Sequence, residues 1–189
     1  MQLVYIFQVE IICTMAIVNG TDETFLNDVW SIYFHDPNDN NWEPNSYQLI
    51  ATLSTVDEFA RIIASVPHDL WAKGMFFIMR EHIQPIWEDP CNVHGGCFSM
   101  KVMRNHITET WINVCASALG ETLTKDPAKW SNVTGVSISP KKNYILIRVW
   151  ISNVTNTDVN AYNFHQPAYS EVLFKVHQAE VAENEDSKK

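Results

Sequence analysis

The stretch VTGVSISPKKNYILIRVWIS, residues 133–152, constrains the fold more than any other part of the chain. Two runs alternate apolar and polar residues, and the turn formers PKKN part them. Strand side chains alternate faces with period two, so this pattern predicts an antiparallel hairpin. Other runs follow the same rule. VWSIYFHD (29–36) precedes the turn-dense PNDNN, and YQLIATL (47–53) reads as a second strand. GMFFIMREHI (74–83) is apolar enough for a central strand, and CFSMKVM (97–103) is expected to pair with it across residues 84–96. SEVLFKVHQ (170–178) offers a last strand.

Two segments carry helical spacing instead. In STVDEFARIIASVP, Thr55 and Glu58 fit a capping box and Pro67 stops the helix. Its apolar stripe is Val56, Phe59, Ile62, Ile63 and Val66. In NHITETWINVCASALGE (105–121), Ile107, Trp111, Val114 and Ala118 share one face, and Gly120 is the expected C′ stop. The strands join through tight turns more than helical crossovers. The expected class is α+β: a curved antiparallel sheet of about six to eight strands with helices on one face.

A chain of 189 residues, 46% apolar, suits one domain. The expected division is an apolar extension at 1–24, one domain at 25–178 and a polar acidic tail at 179–189. The start, MQLVYIFQVEIICTMAIVNG, lacks the basic region of a signal peptide, and Glu10 interrupts its apolar run. It is also marginal as a membrane span, which needs roughly 20 uncharged residues, so no membrane partner is expected. Asn19, Asn132 and Asn153 head Asn-x-Thr sequons, a pattern that also arises by chance in a chain rich in Asn and Thr. Cys13, Cys91, Cys97 and Cys115 form no regular framework, which favours a reducing compartment.

With 13 Lys+Arg against 22 Asp+Glu, the global field opposes a grip on long nucleic acid. A small anion met by local cations stays compatible. Zinc would use Cys91, His94 and Cys97, but no second ligand cluster follows, so no metal is expected. Glu88 and Asp89 are adjacent, so in an extended segment they face opposite sides and cannot flank one scissile bond. No GxSxG, GxGxxG or GxxxxGK[ST] occurs, so neither a nucleophile elbow nor a phosphate loop is expected, and no cofactor.

The aromatic residues point elsewhere. Trp42 stands in the polar loop NDNNWEPN, a poor place for a core ring and a good one for a ligand platform. Trp87 stands where a strand gives way to a loop. Two indoles can hold a flat ligand, and their negative faces favour a cationic one. Glu88, beside Trp87, is placed to accept paired N–H donors from the ligand's edge. Leu146, Arg148 and Trp150 share a strand face, with Lys141 and Lys142 at the hairpin turn, which suits a bound phosphate chain. The plain alternative is a loop Trp packed on its neighbours, a solvated Glu88 and a solvated hairpin tip.

In order and spacing these pieces resemble the eukaryotic translation initiation factor 4E family, which binds the 7-methylguanosine cap of messenger RNA. The resemblance rests on IQPIWEDPCNVHGGCF, on VWSIYF with Tyr33 in the second aromatic position, on NWEP, on STVDEFARII and on TWINVCASALGE, over roughly residues 25–152. It implies a cupped sheet with helices on the convex face and no enzyme activity. It implies that Trp42 and Trp87 stack on the methylated guanine, that Glu88 accepts N1–H and N2–H, and that Trp150 contacts the N7 methyl. Lys141 matches a triphosphate-binding position. The second basic position aligns with Leu146, with Arg148 as its substitute. On the convex face, the surface for a 4G-type scaffold or a 4E-binding protein, Val56 and Trp111 match, while Ala60 replaces a Trp and Ile112 and Ala116 replace larger aliphatics, so an altered interface or a cap-binding repressor is implied. The location implied is cytoplasmic, with a nuclear one open. A rival from another class is a secreted, Trp-lined carbohydrate-binding domain, suggested by the apolar start and the sequons.

Overall fold

The computed structural model describes residues 23–155, 157–164 and 169–177; the N-terminal extension up to residue 22 and the acidic tail lie outside them. Seven strands form one sheet: β1 Phe25–His35, β2 Gln48–Thr55, β3 Met75–Arg80, β4 Gly96–Val102, β5 Val133–Pro140, β6 Ile145–Ile151 and β7 Tyr169–Val176. Their order is β2-β1-β3-β5-β6-β4-β7, and every neighbouring pair is antiparallel. Among the described residues no helix is long and apolar enough to cross a membrane.

The hairpin of residues 133–152 forms as its alternation requires. Ile138 pairs with Ile147 and Pro140 with Ile145. The expected pairing of CFSMKVM with β3 does not occur. β3 has β1 and β5 on its edges, while β4 lies between β6 and β7. The connection at 84–95 is no hairpin turn but a self-bonded loop that carries the chain past two strands.

Alternation sorts the buried side chains onto two faces. Trp30, Ile32, Phe34, Phe76, Ile78, Phe98, Met100, Val136, Ile138, Ile147 and Val149 form the main core. Tyr33, Met75, Phe77, Met79, Cys97 and Trp150 form a smaller cluster on the opposite face. The two helices, α1 Val56–Ser65 and α2 Ile107–Leu119, add Ile62, Ile107, Trp111, Val114, Cys115, Ala118 and Leu119 to the main core alone. Both therefore back the convex face of the curved sheet. Register shifts in the β1–β2, β5–β6 and β4–β7 pairs bend it. At the β5 shift stands Gly135, where a Cβ would come within 2.3 Å of the Met79 sulfur.

The capping box of α1 is present. Thr55 Oγ1 accepts the Glu58 N–H at 3.2 Å, and Glu58 Oε2 accepts the Thr55 N–H at 3.0 Å. Glu58's carboxyl is held below its usual range by these bonds and those from Ser54, which outweigh its partial burial. Val56 corrects the expected stripe. As the first helical residue it points outward and is 45% exposed, while Ile62 and Val66 are buried.

Gly120 corrects the expected stop of α2. Its φ is −84°, and Glu121 takes the left-handed conformation at φ 56°. The Glu121 N–H bonds the Ala118 carbonyl and the Thr122 N–H bonds the Ser117 carbonyl, the pattern of a Schellman turn. Side-chain anchoring offsets the cost of a left-handed non-glycine residue. Asn27 Nδ2 donates to Glu121 Oε2 at 2.8 Å, and Arg80 lies 3.7 Å from Oε1.

Arg80 closes one end of the sheet. Its Nε donates to the Val133 carbonyl at 2.7 Å, and its terminal nitrogens reach Asp28 at 2.7 Å and the Trp130 carbonyl at 3.2 Å. Its guanidinium lies 4.6 Å from the ring centroids of both Trp30 and Trp130. A buried cation is tolerable only with such partners.

Candidate functional site

The loop between β1 and β2 is dense in Asx turns. Asp36 Oδ1 accepts the Asn38 N–H, Asp39 Oδ1 the Asn41 N–H, and Asn41 Oδ1 the Glu43 N–H, at 2.8–3.0 Å. These bonds fix the backbone that presents Trp42, which is 54% exposed. Beneath its indole lies His35, fully buried, with ring centroids 4.4 Å apart and planes only 3° apart. His35 Nε2 is 2.8 Å from the Asn41 carbonyl oxygen, so Nε2 carries the hydrogen.

From this stack a line of rings crosses the concave face. His35 meets Tyr47 at 4.8 Å, Tyr47 meets Phe77 at 5.3 Å, Phe77 meets Trp150 at 6.3 Å, and Trp150 meets His177 at 5.0 Å. The Trp150 indole N–H donates to Ser137 Oγ at 3.0 Å, which fixes its ring. His177 is also 3.8 Å from Cys97 Sγ. Burial first, then the charge of Arg148, hold the His177 imidazole down at about 4, so it is neutral at pH 7.

Trp87 and Glu88 come from the loop after β3. The chain leaves β3 through His82 in the left-handed conformation, φ 67°. Asp89 then accepts the N–H groups of Gln84 at 2.9 Å and Cys91 at 2.8 Å. Asn92, fully buried, donates to the carbonyls of Gln84 at 3.1 Å and Ile86 at 2.9 Å and accepts from Thr134 at 2.8 Å. Asp89 and Asn92 are thus spent on the loop, and Glu88 is left exposed with Trp87 half-buried beside it. Gly95 is required at the loop's exit, because a Cβ there would meet the Ile151 carbonyl oxygen at 1.7 Å. Tyr47 feels the charge of Glu88. Burial, and next the Glu88 carboxylate, push its phenol up to about 12.

The cations lie further along the same face. Arg148 stands between Ser99 on β4 and Ser137 on β5. Burial, then the charge of Arg148, lowers the Lys141 ammonium from its ordinary value. Among the described residues neither cation has a carboxylate partner. Leu146 is buried and pairs with Lys101, whose Nζ lies 5.4 Å from the Tyr144 ring. Two cations that feel each other's charge, with no carboxylate partner among the described residues, suit an anionic ligand.

On the convex side Val56 and Ala60 are exposed and Ile112 is half-buried. Trp111 corrects the expected surface. It is fully buried, 5.9 Å from Trp71, and offers a partner nothing directly. Its place on the helical stripe made it core, and matching the family's order of residues did not distinguish core from surface. Phe25, 72% exposed, lies next to Val56, whose N–H bonds the Thr24 carbonyl.

Sequence reasoning missed His35, Tyr47, Asn92, Ser137 and His177. Alternation alone puts His35 and Tyr33 on one face of β1, and Ser137 opposite Val136 on β5. The lacking signal was strand order, which brings His177, the residue after β7, beside Trp150 through β4.

An antiparallel sheet backed by helices on one face, with a line of rings across the other, defines an α+β protein with an open aromatic face. Residues 25–189 match the family model described as Eukaryotic initiation factor 4E, and the chain belongs to that family. It is similar to Eukaryotic translation initiation factor 4E-2 of Schizosaccharomyces pombe, 32% identical over 135 residues that cover 69% of this chain and 54% of that protein. It is also similar to Eukaryotic translation initiation factor 4E of Saccharomyces cerevisiae, 30% identical over 131 residues, 66% of this chain and 60% of that protein. The chain thus spans less than two thirds of the length of these curated relatives. Among solved structures, C. elegans eIF4E-3 in complex with the 4E-binding protein Mextli and cap analog superposes with a TM-score of 0.73 at 17% identity, over 85% of this chain and 96% of that one. Ascaris suum eIF4E-3 with m2,2,7G cap gives 0.65 at 16% identity, over 80% and 99%. These likenesses establish the fold.

Proposed function

We propose that this protein binds the 7-methylguanosine cap of messenger RNA and acts in, or regulates, translation initiation in the cytoplasm, as a binding protein and not an enzyme. The observation that carries the reading is the exposed Trp42 indole, stacked on His35 at the head of a line of rings across the concave face, with Glu88 exposed on the loop after β3. N7 methylation makes guanine cationic, and two indoles select a flat cation over its neutral analogue. Trp42 offers the face not covered by His35, and Trp87 the opposite one. Glu88 accepts the N1–H and N2–H of guanine, a pattern adenine lacks. Trp150 lies against the methyl. Lys141 and Arg148 meet the triphosphate, whose charge relieves their mutual repulsion. The complex of C. elegans eIF4E-3 with the 4E-binding protein Mextli and cap analog supports this reading.

The convex face serves a scaffold or 4E-binding protein through Val56, Ala60 and Ile112, with Trp111 only supporting the surface from below. Ala60 removes a large contact from that face, and Phe25 supplies an exposed ring close by. The partner contact is accordingly rebuilt.

Retention on immobilised 7-methyl-GTP, with elution by 7-methyl-GTP and not by GTP, tests the reading. Loss of retention in Trp42→Ala and Glu88→Ala, with an unchanged circular dichroism spectrum, is expected. Retention by both variants would sink the proposed contacts.

A further inference from the structure

A ring that is more than half exposed on a polar loop has few contacts to fix its χ angles. Trp42 nevertheless has a ring stacked flat against one face, that of His35. The imidazole is buried in the sheet, lies parallel to the indole, and also has the Tyr47 ring tilted against it at 4.8 Å. The hydrogen bond from Nε2 to the Asn41 carbonyl ties it to the residue just before Trp42. The loop's Asx turns set the backbone, and His35 sets the side chain.

Building on the cap-binding reading, we infer that His35 is a positioning residue, a flat backing plate that holds the Trp42 indole in the orientation in which its outer face receives the methylated base. Preorganising a ring that would otherwise rotate removes an ordering cost from binding. The role needs a planar ring behind the indole. It does not need the imidazole nitrogens, because the Asx turns already hold the loop backbone.

The test uses two variants of the full chain. His35→Leu keeps an apolar side chain of similar size and removes the ring, and His35→Phe keeps the ring and removes the N–H. Aromatic pairs of this kind change an equilibrium by about three- to tenfold. His35→Leu should weaken 7-methyl-GTP binding by that factor, and equally weaken 7-methyl-GMP, since the loss sits on the base. His35→Phe should restore affinity to within about twofold. In the ligand-free protein, indole N–H relaxation with 15N-tryptophan should show Trp42 ordered in the wild type and His35→Phe, and mobile in His35→Leu. An ordered Trp42 in His35→Leu, or a folded His35→Phe as weak as His35→Leu, would overturn the inference. If the wild type bound no 7-methyl-GTP, the cap reading would fail, while the relaxation measurement would still decide the role of His35.

Discussion

Thr134 on β5 donates its hydroxyl hydrogen bond to the buried side chain of Asn92 at 2.8 Å. This one contact ties the sheet to the loop that carries Trp87 and Glu88. Asn92 in turn holds the Gln84 and Ile86 carbonyls, so the loop's geometry is set from the sheet outward. Thr134→Val keeps the shape but leaves the Asn92 oxygen without its donor. A buried group stripped of its partner costs about 1–3 kcal/mol, which urea unfolding should register. Affinity for 7-methyl-GTP should fall alongside it.

Arg80 should prove the most sensitive core position. Arg80→Met removes a cation that serves Asp28, Glu121 and two carbonyls between two indoles. Glu121 is then left as an uncompensated, largely buried charge. Breaking such a pair costs about 3–5 kcal/mol, measurable as a lowered unfolding midpoint.

Arg148→Gln separates phosphate from base. Hydrogen bonds to charged groups contribute about 1.5–3 kcal/mol, so binding of 7-methyl-GTP should weaken by at least about tenfold. Binding of the nucleoside 7-methylguanosine, which keeps the cationic base and carries no phosphate, should change little. The salt dependence of 7-methyl-GTP binding should also flatten. In the same variant the Lys141 ammonium should titrate closer to its ordinary value.

His177 gives a pH dependence with a definite sign. Its folded value of about 4 lies below the ordinary 6.5, because burial and Arg148 disfavour the cation. Between those values the unfolded chain binds the extra proton. The stability contributed by neutral His177 is therefore complete above 6.5 and is lost as pH falls from 6.5 through about 4. His177→Gln should flatten the slope of stability against pH across that window, as measured by thermal unfolding at a series of pH values.

Much of this was legible in the chain itself, for physical reasons. Strand alternation at 133–152 and the Thr55–Glu58 capping box are local, and both appear as read. Strand order is not local. The β4 segment follows β3 in sequence, yet its partners are β6 and β7, because Asp89 and Asn92 fold the intervening loop on itself. The same non-locality hid the ring line from Trp42 to His177, whose members come from five separate segments. Gly120 does mark where α2 stops, but the left-handed residue is Glu121, one position on, which Asn27 and Arg80 contact from elsewhere in the fold. Trp111 marks the limit of a resemblance: matching positions named the residue, and only packing showed it to be core.

The central claim is that Trp42 and Glu88 together read a methylated guanine. Its most direct test is the quenching of tryptophan fluorescence on titration with 7-methyl-GTP and, separately, with GTP. The account predicts saturable quenching by 7-methyl-GTP, far weaker quenching by GTP, and loss of the response in both Trp42→Ala and Glu88→Ala. Equal response to the two nucleotides, or an undiminished response in either folded variant, would contradict it.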